Sequence, residues 1–171
     1  MKKLFLAAIF AIGLAGTGFS QAKIAHLDYV KVQDTLPSYK TAVKEMEDLA
    51  TEAQTELKKL EDNYLAIQKE IMAAGDLSAL AQERAQKRLA TAGELYEMTE
   101  QSYQSDMSKL QNRLIPPIQE TIEAAISVVA KKMGLNYVLD KGNTHYADGQ
   151  DITNAVITEA LKLDKQAKAS N

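Results

Sequence analysis

The sequence predicts an α+β protein in which a small three-stranded body, built from both chain ends, carries a long antiparallel helical hairpin. Three observations carry that prediction. Apolar and small residues recur at heptad spacing over two consecutive stretches between Thr41 and Leu114. A Gly75-Asp76 pair separates the two stretches. Short strand-like segments bounded by turn residues lie before and after them.

In chain order, residues 1–20 begin with Lys2-Lys3, continue through an apolar run from Leu4 to Leu14, and end in small residues before Gln21. That is the pattern of a secretory signal peptide, with cleavage after Ser20 or Ala22 both satisfying the small-residue rule. The run is shorter than the roughly 20 apolar residues that a membrane span needs, so the expected mature protein is soluble and exported. With no cysteine the chain forms neither disulfides nor a lipoprotein anchor, and a bacterial periplasm fits. Losing Lys2 and Lys3 takes the formal charge from −3 to −5, which argues against a general nucleic-acid binder. The charge is uneven: residues 41–114 hold 14 acidic and 9 basic side chains, whereas the rest of the mature chain has 9 of each.

Residues 23–28 read as a strand, with Asp28 capping a brief helix from Tyr29 to Gln33 that Leu36-Pro37 stops. Ser38 is positioned to cap the first arm, whose stripe is Val43, Met46, Ala50, Ala53, Leu57, Leu60, Tyr64, Ile67 and Ile71. Gly75 suits a left-handed helix end, and Asp76 or Ser78 a new cap. The second stripe is Ala85, Leu89, Ala92, Tyr96, Thr99, Tyr103, Met107, Leu110 and Leu114, with two consecutive gaps of four from Thr99 to Met107 that locally unwind a supercoil. Folding about the turn, positions summing to roughly 150 should meet, placing large side chains over small ones, Ala50 near Tyr103 and Tyr64 near Ala85. At about 1.5 Å per residue each arm reaches roughly 50 Å, so the hairpin is a prong.

Pro116-Pro117 should break or kink the second arm and open a new helix to Met133, ended by Gly134. Tyr137–Asp140 and Thr144–Ala147 around Gly142-Asn143 read as a β-hairpin. Asp151 or Thr153 caps a last amphipathic helix burying Ile152, Val156, Ile157, Ala160 and Leu161. The organisation is thus a body of residues 21–40 and 115–163, a prong of residues 41–114, and a flexible polar tail of residues 164–171. A body this small, with open sheet edges, calls for a homo-oligomer closed by those edges.

At this point the chain resembles the Skp/OmpH family of periplasmic chaperones. The resemblance rests on Lys23-Ile24-Ala25 with Asp28, Leu36-Pro37 with Tyr39, Pro117-Ile118 with Ile122, Ala125-Ile126 and Val129-Ala130. It continues through Gly134, Tyr137–Asp140, Tyr146-Ala147-Asp148, Asp151-Ile152-Thr153 and Val156-Ile157. It implies a trimer whose sheets join into a central barrel, and three prongs around a cavity that holds unfolded outer-membrane proteins, without ATP, and keeps them from aggregating. The best-known relatives carry positively charged prongs, whereas this prong is acidic.

A holdase needs adaptable apolar surface, and Leu65, Met72, Leu77, Leu80, Leu95 and Met98 lie off the heptad stripes. These are the candidate client contacts; the plainer alternative is that they widen the seam or sit singly on the surface. Arg84, Lys87 and Arg88 form the one notable basic cluster of the prong, suited to acidic client segments or lipid headgroups, or more simply a solvated face paired with glutamates. His26 and His145 fall on strand-like segments without companions at zinc-ligand spacing, and Asp148 and Asp151 lack the pattern of a calcium loop. With no nucleophile elbow, phosphate loop or HExxH pair, the expectation is a non-enzyme without catalytic residues, metal or cofactor. The expected partners are unfolded outer-membrane β-barrel proteins and further copies of the chain, with no nucleic acid and no stable membrane insertion after signal cleavage. The alternative is a structural or adaptor coiled-coil protein of the cell envelope that binds one folded partner.

Overall fold

A computed structural model describes residues 22–75 and 77–169. The expected signal peptide of residues 1–20, and Asp76 as a candidate cap, lie outside the described residues. The elements are β1 (Ile24–Leu27), α1 (Tyr29–Thr35), α2 (Pro37–Ala73), α3 (Ala79–Met133), β2 (Tyr137–Asp140), β3 (Gln150–Asp151) and α4 (Thr153–Ala169).

Local chemistry sets most of the boundaries. Asp28 accepts from the Lys31 amide at 2.9 Å and starts α1. Leu36, held extended by the following proline, separates α1 from α2. Ser38 does not cap α2: Pro37 already occupies its first turn, where a missing amide proton costs nothing, and the cap residue is Leu36. Gly75 (φ +61°) and Gly134 (φ +64°) take the left-handed conformation that ends α2 and α3. Ser78 Oγ accepts from the Ala81 amide at 3.4 Å at the start of α3.

Two expectations fail here for instructive reasons. The proline pair does not interrupt α3, which runs unbroken from Ala79 to Met133. Two prolines remove only two backbone donors, and the carbonyls they orphan belong to the exposed residues Asn112 and Arg113, where water can serve. Burial on both sides keeps the helix in phase: Leu110 and Leu114 face α2, while Ile118, Ile122, Ala125 and Val129 are buried in the body.

The second failure is the β-hairpin. Residues 141–143 form a 3-10 turn, and Thr144–Ala147 is not a strand. The Asp140 side chain accepts from the Gly142 amide (3.1 Å), from Asn143 Nδ2 (3.1 Å) and from the Tyr29 amide (3.4 Å), and its backbone carbonyl accepts from Thr144 Oγ1 (2.8 Å). These bonds turn the chain aside before it can double back. The third strand is Gln150–Asp151, and the sheet is wholly parallel, in the order β2-β1-β3. His26 therefore lies on the central strand, buried, while His145 sits exposed in the loop.

The body core gathers Leu27, Val32, Leu36, Ile122, Ile152 and Val156, all nearly without exposure. One polar junction stitches the two ends of the chain together. Thr153 Oγ1 accepts from the Asp28 amide at 2.9 Å and bonds Asp151 Oδ1, which also accepts from the Thr153 amide at 2.8 Å. Asp151 Oδ2 lies 3.8 Å from His26 Nε2. α4 continues as helix through the polar stretch that begins at Asp164, and Asp164 itself is buried.

The prong is the antiparallel pair of α2 and the first part of α3. Every position of the second stripe is at least half-buried, and so is the first apart from Ala50, whose place Leu49 takes. The register differs from the expected one. Arg88 meets Glu70 at 3.1 Å and Arg113 meets Glu45 at 3.3 Å, pairs that each sum to 158, and Tyr64 packs against Gly93 rather than Ala85. The pivot of these pairs falls at Ala79, the first residue of α3, while Ala50 and Tyr103 line one groove as expected. Large still faces small, one heptad further on.

Ile122→Ala should destabilise the protein by about 2–5 kcal/mol in urea melts, whereas Leu60→Ala, on the half-exposed seam, should cost less than half of that. The Asp151 carboxyl is held below its ordinary pKa, first by its hydrogen bonds from Thr153 and then by the charge of His26. A depressed folded-state pKa gives stability that is present at neutral pH and lost as pH falls below the usual carboxylate range. Thermal melts of Asp151→Ala should show a loss of about 1 kcal/mol at pH 7, typical of lost side-chain hydrogen bonds, that narrows on acidification.

Candidate client-binding surface

A two-helix hairpin has no second layer to cover it, so side chains that a bundle would bury stay partly open. Of the six off-stripe candidates, Leu65, Met72, Leu80, Leu95 and Met98 are exposed, Met72 by 74% and Met98 by 69%, and Leu77 is half-buried. At 100° per residue they divide between the two faces of the prong: Leu65 and Met72 on one, Leu77, Leu80, Leu95 and Met98 towards the other.

The second face changes character along its length. Near the root a hollow of about 490 Å³ has Leu49 and Leu110 at its floor and Glu45, Asp48, Glu52 and Asp106 around it, with Arg113 and Lys109 paired to Glu45 and Asp106 at its rim. Toward the tip, Ile67, Ala92 and Leu95 floor a hollow of about 580 Å³ walled by Arg84, Lys87 and Arg88. Arg84 and Arg88 continue into a tip hollow with Ile71, Leu77 and Leu80. The structure thus brings the basic cluster and three of the apolar candidates together. Of the cluster, Arg88 is paired with Glu70, while Arg84 and Lys87 make no ion pair among the described residues.

The first face holds what the heptad reading missed. A groove of about 730 Å³ runs past Ala50, Ala53, Leu57, Tyr96, Tyr103 and Met107. The two tyrosines stand over alanines too small to fill the space beneath them, which leaves a trough with aromatic walls. Its signal was present in the sequence, as the two gaps of four at Thr99 to Met107 opposite an Ala-rich stretch. Tyr103 donates to Glu52 Oε1 at 3.5 Å, and its pKa is raised, first by burial and then by the charges of Glu52 and Glu56, so the phenol stays neutral and a donor.

Among the described residues no three His, Cys, Asp or Glu side chains gather as metal ligands, and no helix is long and apolar enough to cross a membrane. The chain is thus a parallel three-stranded body bearing a projecting helical hairpin, with apolar side chains spread along its open grooves. The family model for OmpH-like outer membrane proteins matches residues 23–159, and the chain belongs to that family. The Chaperone protein Skp of Photorhabdus laumondii is 29% identical over 163 residues, covering 93% of this chain and 99% of the relative. That of Yersinia enterocolitica is 26% identical over 162 residues, covering 93% and 99%. A crystal structure of an OmpH-like protein from Caulobacter crescentus shares the fold at a TM-score of 0.68 and 15% identity, over 87% of this chain and 88% of that one.

Gly93 lies in the middle of α3, where a methyl group would meet the Tyr64 ring at 3.7 Å, an ordinary contact. Gly93→Ala should therefore stabilise the prong by up to about 1 kcal/mol through helix propensity, read as slower amide exchange on both sides of the position.

Proposed function

We propose that this protein is an ATP-independent periplasmic holdase that encloses unfolded outer-membrane β-barrel proteins between its prongs and prevents their aggregation. The observation that carries the reading is the exposure of Leu65, Met72, Leu80, Leu95 and Met98 on a hairpin that stands away from the core. Unfolded β-barrel chains expose alternating apolar residues and present no single shape, so a receptor for them needs many adaptable contacts rather than one pocket. Each buried methylene contributes only about 0.8 kcal/mol, and useful affinity comes from several prongs meeting one client at once. No nucleotide or cofactor enters such a mechanism; release follows when the client's own folding withdraws its apolar residues.

Enclosure requires more than one copy of the chain. The outer edges of β2 and β3 are unpaired within the chain, and Ile24, Tyr137, Leu139 and Tyr146 are exposed on and around the sheet. These features support a homotrimer closed through the sheets, with residues 1–20 removed on export and the prongs of residues 41–114 directed to one side.

The test dilutes a urea-unfolded outer-membrane β-barrel protein into buffer with and without the mature chain, following light scattering and the chain's molar mass together. Scattering should be suppressed at about one trimer per client and should change little with salt, since apolar contacts are not screened. Replacing Met72, Leu80 and Met98 together by Ser should raise the chain concentration needed by several-fold without altering the oligomer. Unchanged scattering in the presence of an intact oligomer would overturn the holdase reading in favour of an envelope adaptor with one folded partner.

A further inference from the structure

The hollows along the prong belong to the surface already described, but one cavity does not. Where the first turns of α2, the stretch of α3 around Pro117 and the end of α4 converge lies a cavity of about 270 Å³. Its walls are mainly apolar, from Ala42, Leu114, Ile118 and Ala167. Asp164 lines it at only 3% exposure, and its Oδ2 is buried without a hydrogen-bond partner. Ser38, from another helix, lines it too, and its Oγ is also buried and unpartnered. Among the described residues, these are the buried side-chain oxygens left unsatisfied, and both lie in one cavity.

Neither is accounted for by the fold. Pro37 rather than the Ser38 hydroxyl sets the start of α2, and Asp164 stands on the buried face of α4, where packing alone would favour an apolar residue. Buried polar atoms in native proteins are with few exceptions paired, and a buried carboxylate oxygen without a partner is costly. The neighbouring cations do not supply the partner: Arg113 is engaged by Glu45 at 3.3 Å, and Lys168, one turn beyond Asp164, is exposed and not within ion-pair distance of it.

The missing group is thus a donor, and a cationic one. A carboxylate only accepts, and the serine hydroxyl can accept alongside it, so a compact group with several donors satisfies both. A metal ion would want more oxygen ligands than converge here. The apolar walls suit an alkyl stem. We propose that this cavity binds an alkylammonium group, held by Asp164 and Ser38, and that its occupation fastens α4 to the root of the prong. Since α2 and α3 leave the body at this point, a ligand bridging α4 to α2 opposes splaying of the prong. The inference concerns the body and stands whether or not the prong holds clients.

The test uses the mature chain at constant ionic strength with two probes, putrescine as a free diamine and N-acetyl-lysine methylamide as the side chain of a bound polypeptide; the stronger binder identifies the source. Calorimetry should show saturable binding that Asp164→Asn weakens at least tenfold and Ser38→Ala several-fold. Lys168→Gln, which alters an exposed side chain and removes a rival cation, should bind at least as tightly as the native chain. Hydrogen exchange should slow over residues 38–45 and 160–169 and not at the prong tip. Equal binding by Asp164→Asn, equal protection from magnesium chloride, protection spread along the acidic prong, or no binding of either probe would each overturn the proposal.

Discussion

The structure depends on α3 remaining one helix through Pro116 and Pro117. Its first part has only α2 for company, and along that pair only Ile67 and Ala92 are buried while the other stripe positions stay partly open. Its last part is the central wall of the body, where Ile118, Ile122, Ala125 and Val129 meet α4 and the sheet side of the core. Because the two parts are one continuous helix despite the two rungs missing at the prolines, order in the body propagates into the prong, and the prong can stay thin and open without becoming a disordered loop. A break at the prolines would leave a hairpin tied to the body only by the short run from Leu36 to Ala42.

That constraint shapes the surface. The seam uses alanines and a glycine beneath Tyr64, Tyr96 and Tyr103, so the helices approach each other while leaving grooves on both faces. Leu at those positions would close the grooves and remove the surface that a binding role needs. Polar contacts across the hairpin are few and lie on the outside, as in Arg88–Glu70 and Arg113–Glu45, and exposed pairs of that kind contribute little to stability. Most of the buried apolar residues lie in the body, and many of the exposed ones along the prong.

Much of the fold was legible because helical periodicity and caps are local signals. The heptad stripes, Gly75, Gly134, Asp28 and the stop at Leu36-Pro37 all act within a few residues of themselves. The exposed apolar candidates followed as whatever lay off the stripe. The aromatic groove was harder, because Tyr96 and Tyr103 satisfy a seam pattern and form a groove wall at the same time. The orphaned Asp164 was invisible, since a polar residue near a chain end reads as solvated until the packing of another helix covers it.

By itself the sequence determined which segments are helical, which face of each is apolar, and that two long arms pair back to back. It did so because those properties repeat along one chain and need no distant partner. Only the tertiary structure decided the register of the arms, since sliding a heptad pattern by seven residues leaves every stripe facing a stripe and the geometry of the connection alone selects one. It also decided that the double proline is crossed rather than obeyed, because burial on both sides outweighs two lost hydrogen bonds at solvated carbonyls. And it turned a Gly-Asn hairpin signal into a parallel sheet, because Asp140 captures the turn and His26 on β1, arriving from far along the chain, offers the backbone edge that Asp151 takes.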